Sequence, residues 1–226
     1  MSSGAPTGQG ASPSGRDLVF GRIRAALGDV PRQERPEDVP VTRGYRTAHA
    51  PDDPAGLLDL LQDRLTEYRA TVHRCRPAEL PGTVASVLAR RGARTVIVPE
   101  GLPARWLAEA SVERLGDNPP LSPRACEEAD SVVTGCAVAV AETGTIVLDG
   151  GPGQGRRALS LVPDHHLCVV RAPEQLVASV PAAVARLVPT RPLTWISGPS
   201  ATSDIELERV EGVHGPRTLD VVLVEA

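Results

Sequence analysis

Apolar residues recur along this chain in two rhythms, and the rhythm changes near residue 131. Upstream of that point, Leu57, Leu58, Leu61, Leu65 and Tyr68 fall at helical spacing, the recurrence that gathers side chains on one face. A short strand over Thr71–Cys75 follows, then a helix near 78–91 with Gly92 as its C-cap, and the strand TVIV at Thr95–Val98. The pattern continues with a short helix over Pro103–Ala110 and a short strand around 111–114. Strands alternating with amphipathic helices predict an α/β fold, an open and mainly parallel sheet with helices on both faces. Such sheets gather ligands beyond the C-terminal ends of their strands.

Downstream, SVVT, AVAVAETGTIVL, LSLVPDHHLCVV, LTWIS and TLDVVLV read as strands, with one strong helix among them at about 173–188. Glycine-, serine- and threonine-rich loops join them, which is where a rigid scaffold carries functional groups. The N-terminal part differs from both. Residues 1–16 read as a disordered tail, having nothing to bury. Leu18, Ile23, Ala26 and Leu27 mark a short helix stopped by Gly28, and 29–53 is an extended connector rich in proline and charge. The expected organisation is a tail over 1–16, a helix on an extended arm over 17–53, and one α/β domain over 54–226. On such an arm, the first helix packs remotely or on another subunit, so a homo-oligomer is possible.

Composition narrows the chemistry. Hydrophobic residues make up 41% of the chain, and the only aromatics are Phe20, Tyr45, Tyr68, Trp106 and Trp195. A net charge of −4 and so few stacking rings argue against nucleic acid. The chain has no lysine, which excludes a Schiff base, a pyridoxal-phosphate lysine and a Walker A loop. Cys75, Cys126, Cys136 and Cys168 form no C-x-x-C pair, so zinc-ribbon and ferredoxin spacings are absent. No apolar run approaches the roughly 18 residues of a membrane span. Without a signal-peptide pattern at its start, the chain reads as cytoplasmic, with reduced thiols.

Five segments are candidates for chemistry. In AVAETGTIVL, Glu142 stands between two apolar strand segments, with Gly144 allowing a tight turn and Thr143 and Thr145 as hydroxyl donors. That carboxylate is either desolvated and reactive or bonded to turn amides. GGPGQGRR at Gly150–Arg157 is either an anion cradle or a mobile loop with solvated arginines. In PDHHLCVV, strand alternation sends His165 and His166 to opposite faces, and the pair reads either as one histidine toward a site and the other toward solvent or as merely structural. WISGPSATSDIE ends in Ser203-x-x-Glu206, a capping box, and Ser200 and Thr202 ahead of it add donors for an anion. GVHGPR either flanks His214 with glycines that let the backbone approach a ligand closely or is a plain turn before the final strand.

These segments fall in the same order as in the LUD-domain family. ADSVVTG at Ala129–Gly135, AETGTIVL at Ala141–Leu148, the P-x-x-H of Pro163–His166, ISGPSATSDIE at Ile196–Glu206 and GVHGP at Gly212–Pro216 carry the likeness. A short helix like RIRAALG at Arg22–Gly28 precedes them. The chain resembles that family, in its lactate-utilization branch, from about residue 17 to 225. The resemblance implies the fold type of ribose-5-phosphate isomerases, glucosamine-6-phosphate deaminases and CoA-transferases. It also implies a part in oxidising L-lactate to pyruvate beside two partner proteins that carry iron–sulfur clusters, with no cofactor in this chain. CoA-transferases use a glutamate in a Glu-x-Gly turn, and Glu142-Thr143-Gly144 is similar, with Ala141 where those enzymes tend to carry serine.

Three functions are therefore open: a component of lactate oxidation handling a small carboxylate, an independent acyl- or sugar-phosphate-type enzyme using Glu142, or a metabolite-sensing regulator. Glu142 and His214 are the catalytic candidates. Thr143, Gly144, His166, Gly198, Ser200, Thr202, Asp204, Glu206 and Gly215 are the candidate ligand-binding residues, and no metal site is expected. Glu142, His166, Thr202, Asp204 and His214 are expected around one cleft at the sheet's edge.

Overall fold

A computed structural model describes residues 14–31, 33–42, 44, 53–202, 210–211 and 214–225. Two units emerge, one up to Tyr45 and one from Arg46 onward. In the first, Ser14 caps helix α1 (Gly15–Ala26) and Asp17 reaches back to Ser14 in a capping box. Arg16 and Arg24 lie over the Phe20 ring, 5.5 and 5.8 Å from its centre, and the helix buries no residue. Most of the expected tail lies outside the described residues.

The second unit opens with α2 (Pro54–Glu67), where Asp53 accepts from the amides of Ala55 and Gly56 and Pro54 takes the first turn. Its Leu57, Leu58, Leu61 and Leu65 are all buried, as their spacing predicts. There follow β1 (Thr71–Cys75), α3 (Leu80–Arg90), β2 (Thr95–Val98), β3 (Glu113–Gly116), α4 (Pro123–Glu128) and β4 (Ser131–Thr134). Next come β5 (Val138–Val140), β6 (Thr145–Leu148), α5 (Arg157–Leu161), β7 (His165–Arg171) and α6 (Ala172–Gln175). The chain ends through β8 (Leu176–Val177), α7 (Val180–Val184), β9 (Thr194–Ile196), β10 (Ala201–Thr202), β11 (Val210–Glu211) and β12 (Thr218–Val224).

Six strands form a parallel sheet in the order β1-β12-β7-β4-β2-β3. Its central strands are mostly apolar on both faces, because both faces are covered, with Ser131, Thr134, His165, His166 and Asp220 as the buried polar exceptions. On one face, α3 and the turn bearing Trp106 and Leu107 pack over Val133, Leu167, Val169 and Val222. On the other lie α2, with α4 and α5, and a second sheet in the order β8-β5-β6-β9. That second sheet turns Ala139, Ala141, Ile146 and Leu148 toward Cys168, Val170, Val221 and Leu223 of the first. Among the described residues, no helix is long and apolar enough to cross a membrane.

The strand and helix readings need three corrections. The single helix at 173–188 is instead α6, β8 and α7. Leu176 and Val177 pair with Ala139 and Val140, so the edge of β5 claims their backbone, and Ser179 with Pro181 then starts a new helix. LSL at Leu159–Leu161 is helical in α5, where Leu159 is buried beside Cys126. Residues 104–107 make only a 3-10 turn, and the strand after it runs over Glu113–Gly116, level with β2.

Candidate functional site

The cleft of interest lies between the two sheets. His166 on β7 and Leu219 on β12 belong to one wall, and Thr194, Trp195 and Ile196 on β9 to another. Ser197–Ala201 and His214–Pro216 close it over Ser160 and Leu161 of α5, enclosing about 230 Å³. Gly198 has φ of +82°, and a Cβ there would sit 2.5 Å from the carbonyl oxygen of Tyr68, so only glycine lets the loop pass over the end of α2. Ser200 ties the two loops together. Its amide donates to the Pro216 carbonyl at 2.8 Å, and its Oγ accepts from the His214 amide at 3.1 Å.

Hydroxyls and imidazoles dominate this lining, and no described lining residue is an arginine or a carboxylate. His166 is 1% exposed and its Nε2 is bonded to Thr134 Oγ1 at 2.7 Å. Burial, helped by neighbouring His165, pushes its pKa down to about 3, so the ring is neutral at ordinary pH. Ser197 Oγ meets Thr145 Oγ1 at 2.8 Å, which meets Thr143 Oγ1 at 2.7 Å, and this chain of hydroxyls leads away from the cleft wall to the β5–β6 turn. Trp195 is 41% exposed. Such a surface can hold a small polar molecule by neutral hydrogen bonds against an aromatic and aliphatic wall.

Of the candidate residues, His166, Gly198, Ser200, His214 and Gly215 line this cleft. Thr202 lies in β10, paired with Val210. Asp204 and Glu206, and with them the Ser203–Glu206 capping box, fall outside the described residues. Glu142 and Thr143 open elsewhere, onto a groove of about 280 Å³ shared with Arg64, Glu67 and Tyr68. A Cβ on Gly144, whose φ is +58°, would lie 2.7 Å from Arg64 Cβ. The β5–β6 turn is thus laid on α2, and that separates Glu142 from His214. The expectation of one cleft holding both is corrected accordingly. The cleft also sits at the start of β7 and β12 rather than beyond their C-terminal ends.

Both histidines of the His-His pair are buried, so neither faces solvent as expected. They do point to opposite faces, His166 to Thr134 and His165 to Ser131. Arg156 of the glycine loop is not a free anion ligand. It is bonded to Asp117 at 2.8 and 3.0 Å and to the Leu121 carbonyl at 2.6 Å. The four cysteines are free and buried. Among the described residues, no group of three or more His, Cys, Asp or Glu side chains could hold a metal ion.

A second polar cluster escaped the sequence reading. Ser131 Oγ lies 2.6 Å from His165 Nδ1, and His165 Nε2 lies 3.0 Å from Asp220 Oδ2. His73 Nε2 meets Asp220 Oδ1 at 2.7 Å, and Arg91 donates to Oδ2 at 2.9 and 2.8 Å. Burial alone would raise the Asp220 pKa, but the bonds from His165, His73 and Arg91 outweigh it and hold the carboxyl well below its usual range. Asp220 is therefore an anion, and both imidazoles turn an N–H toward it. Ser131 is fully buried, so the serine–histidine–aspartate order is no nucleophile triad. The available signal was a charged residue inside the apolar run TLDVVLV.

A Deinococcus radiodurans protein called Lactate utilization protein C is 50% identical over 205 residues, covering 89% of this chain and 91% of that protein. The chain belongs to the LUD domain family. The LUD domain pattern itself matches residues 123–224, which include every residue lining the cleft, together with Ser131, His165 and Asp220. Beyond that LUD domain pattern lie His73, Arg91 and all of α2 and α3. A Geobacillus kaustophilus protein, also called Lactate utilization protein C, is 30% identical and covers 92% of this chain and 95% of its own length. The crystal structure of a DUF162 family protein from Deinococcus radiodurans superposes with a TM-score of 0.66 at 44% identity, covering 77% of this chain and 100% of that one.

Proposed function

We propose that this chain is the cluster-free component of an L-lactate utilization system. In this reading it supports oxidation of L-lactate to pyruvate together with partner proteins that carry iron–sulfur clusters. The observation that carries it is the half-identical, near-full-length likeness to a Lactate utilization protein C. Its cysteines agree with clusters residing on partners, since all four are buried and none forms a C-x-x-C pair. Work in the cytoplasm agrees with those free thiols.

The small carboxylate of this reading occupies the cleft. A volume of about 230 Å³ suits a molecule of a few heavy atoms. Ser197, Ser200 and His214 are the groups that would orient it, with neutral His166 beneath. Deletion of the gene, with growth on L-lactate as sole carbon source, tests the role. Growth should fail on L-lactate, persist on pyruvate, and return when the gene is restored. Undiminished growth of the deletion strain on L-lactate overturns the reading.

A further inference from the structure

We propose that the N–H at Nδ1 of His166 holds a carboxylate oxygen of the ligand in the cleft, and that Thr134, which does not line the cleft, fixes the proton on that nitrogen. The assignment rests on the small-carboxylate reading of the cleft and names the atom that does the holding.

Thr134 decides the tautomer. Its side chain is fully buried, and among the described residues its hydroxyl has one partner, His166 Nε2 at 2.7 Å. A hydroxyl can donate or accept, but a buried O–H hydrogen left without an acceptor is costly. The Thr134 hydroxyl therefore donates to Nε2. Burial keeps the ring neutral, so it carries a single proton, and with Nε2 accepting, that proton is on Nδ1. The hydroxyl itself cannot drift away. It stands on β4, which pairs with β7 through Val132 with His166 and Thr134 with Cys168 in the middle of the parallel sheet.

Nδ1 in turn opens onto the cleft. It makes no hydrogen bond among the described residues. The buried side-chain atoms that lack a partner are Gln62 Oε1 and Arg64 Nε, and Nδ1 is not among them. It is unpaired without being sealed in, and the open space that His166 lines is the cleft.

The rest of the lining assigns the groups of the ligand. Ser197 and Ser200 carry hydroxyls that turn, so either can meet an alcohol or a ketone. Ser200 Oγ already accepts from the His214 amide, which leaves its own hydrogen to give. The N–H of His166 cannot turn and can only donate. A carboxylate can only accept, and an ionised acceptor makes the stronger bond. Since the cleft encloses only about 230 Å³, a molecule of a few heavy atoms reaches from the imidazole to the Ser200 loop.

Propionate is the probe, because a carboxylate is its only polar group. The full chain, labelled with 15N-histidine, is titrated with propionate and with propionamide and read by the imidazole 15N resonances and by calorimetry. In the free protein the His166 proton should be on Nδ1. Propionate should move that resonance and bind about tenfold tighter than the neutral amide. Thr134→Val should lower the Nδ1-protonated fraction and weaken propionate about fivefold, and Thr134→Ser should restore both. His166→Gln, which reaches toward Thr134 but puts no donor at Nδ1, should weaken propionate about tenfold. A proton on Nε2 in the free protein, or parental propionate affinity in Thr134→Val or in His166→Gln, overturns the assignment. If Ser200→Ala weakens propionate while His166→Gln does not, the cleft still takes a carboxylate and this assignment alone fails. If propionate does not bind in the millimolar range, or Ser200→Ala and His166→Gln both leave it unchanged, the carboxylate reading of the cleft falls too. The lactate-utilization role is judged apart from this, by growth of the deletion strain.

Discussion

Thr134 Oγ1 stands 2.7 Å from Nε2 of His166, under the floor of the cleft, with both residues buried. The pair keeps the imidazole bonded without charging it. A histidine with a folded pKa near 3 and an ordinary value near 6.5 binds its proton in the unfolded chain first. Stability is thus complete above about pH 6.5 and falls as pH drops toward 3. Between pH 6.5 and 5 the expected loss is about 2 kcal/mol, measured by urea unfolding. His166→Gln should flatten that slope. Asp220, held below its usual range, contributes stability that is lost only in stronger acid, so its effect falls outside this window.

Gly198 cannot be replaced cheaply. Alanine there combines a positive φ with a Cβ 2.5 Å from the Tyr68 carbonyl oxygen. The expected cost is about 2–4 kcal/mol in urea unfolding, accompanied by weaker ligand binding in the cleft. Gly92→Ala is a suitable control, because its φ is also positive but nothing stands within 4 Å of the added carbon.

The separation of Glu142 from His214 has a direct readout. His214→Ala should weaken binding of a small carboxylate in the cleft by several-fold. Glu142→Gln, which alters the groove beside Arg64 and Tyr68, should leave that affinity within about twofold. Equal losses from both variants would show that the two concavities act as one site.

Purified alone, the protein should be colourless and should not reduce a dye acceptor with L-lactate. Turnover should appear only when iron–sulfur partners are added. Stoichiometric iron or flavin in the isolated chain, or lactate-dependent dye reduction by it, contradicts the cluster-free role.

Much of the scaffold was legible because local rhythm and burial agreed. The leucines of α2 and the apolar TVIV strand read correctly for that reason, and the loops bearing Ser200 and His214 stood out by their glycines. What failed to read depended on partners distant in sequence. Leu176 and Val177 sit in a helical pattern, yet the edge of β5 makes them a strand. Asp220 reads as an oddity in an apolar run until His73, His165 and Arg91 arrive from three other elements. Glu142 looked like a companion of His214 because each reads as standing at a strand end, where open α/β sheets gather ligand groups, and sequence spacing holds no record of which side of α2 a turn leans on.

Trp195 borders the cleft at 41% exposed, while the chain's other tryptophan, Trp106, is 5% exposed beneath α3 on the far side of the parallel sheet. The molecule therefore carries its own optical gauge. Emission excited near the red edge of indole absorption divides into a constant component from Trp106 and a responsive one from Trp195. Occupancy of the cleft can be followed in the untagged protein, and Trp195→Phe supplies the blank.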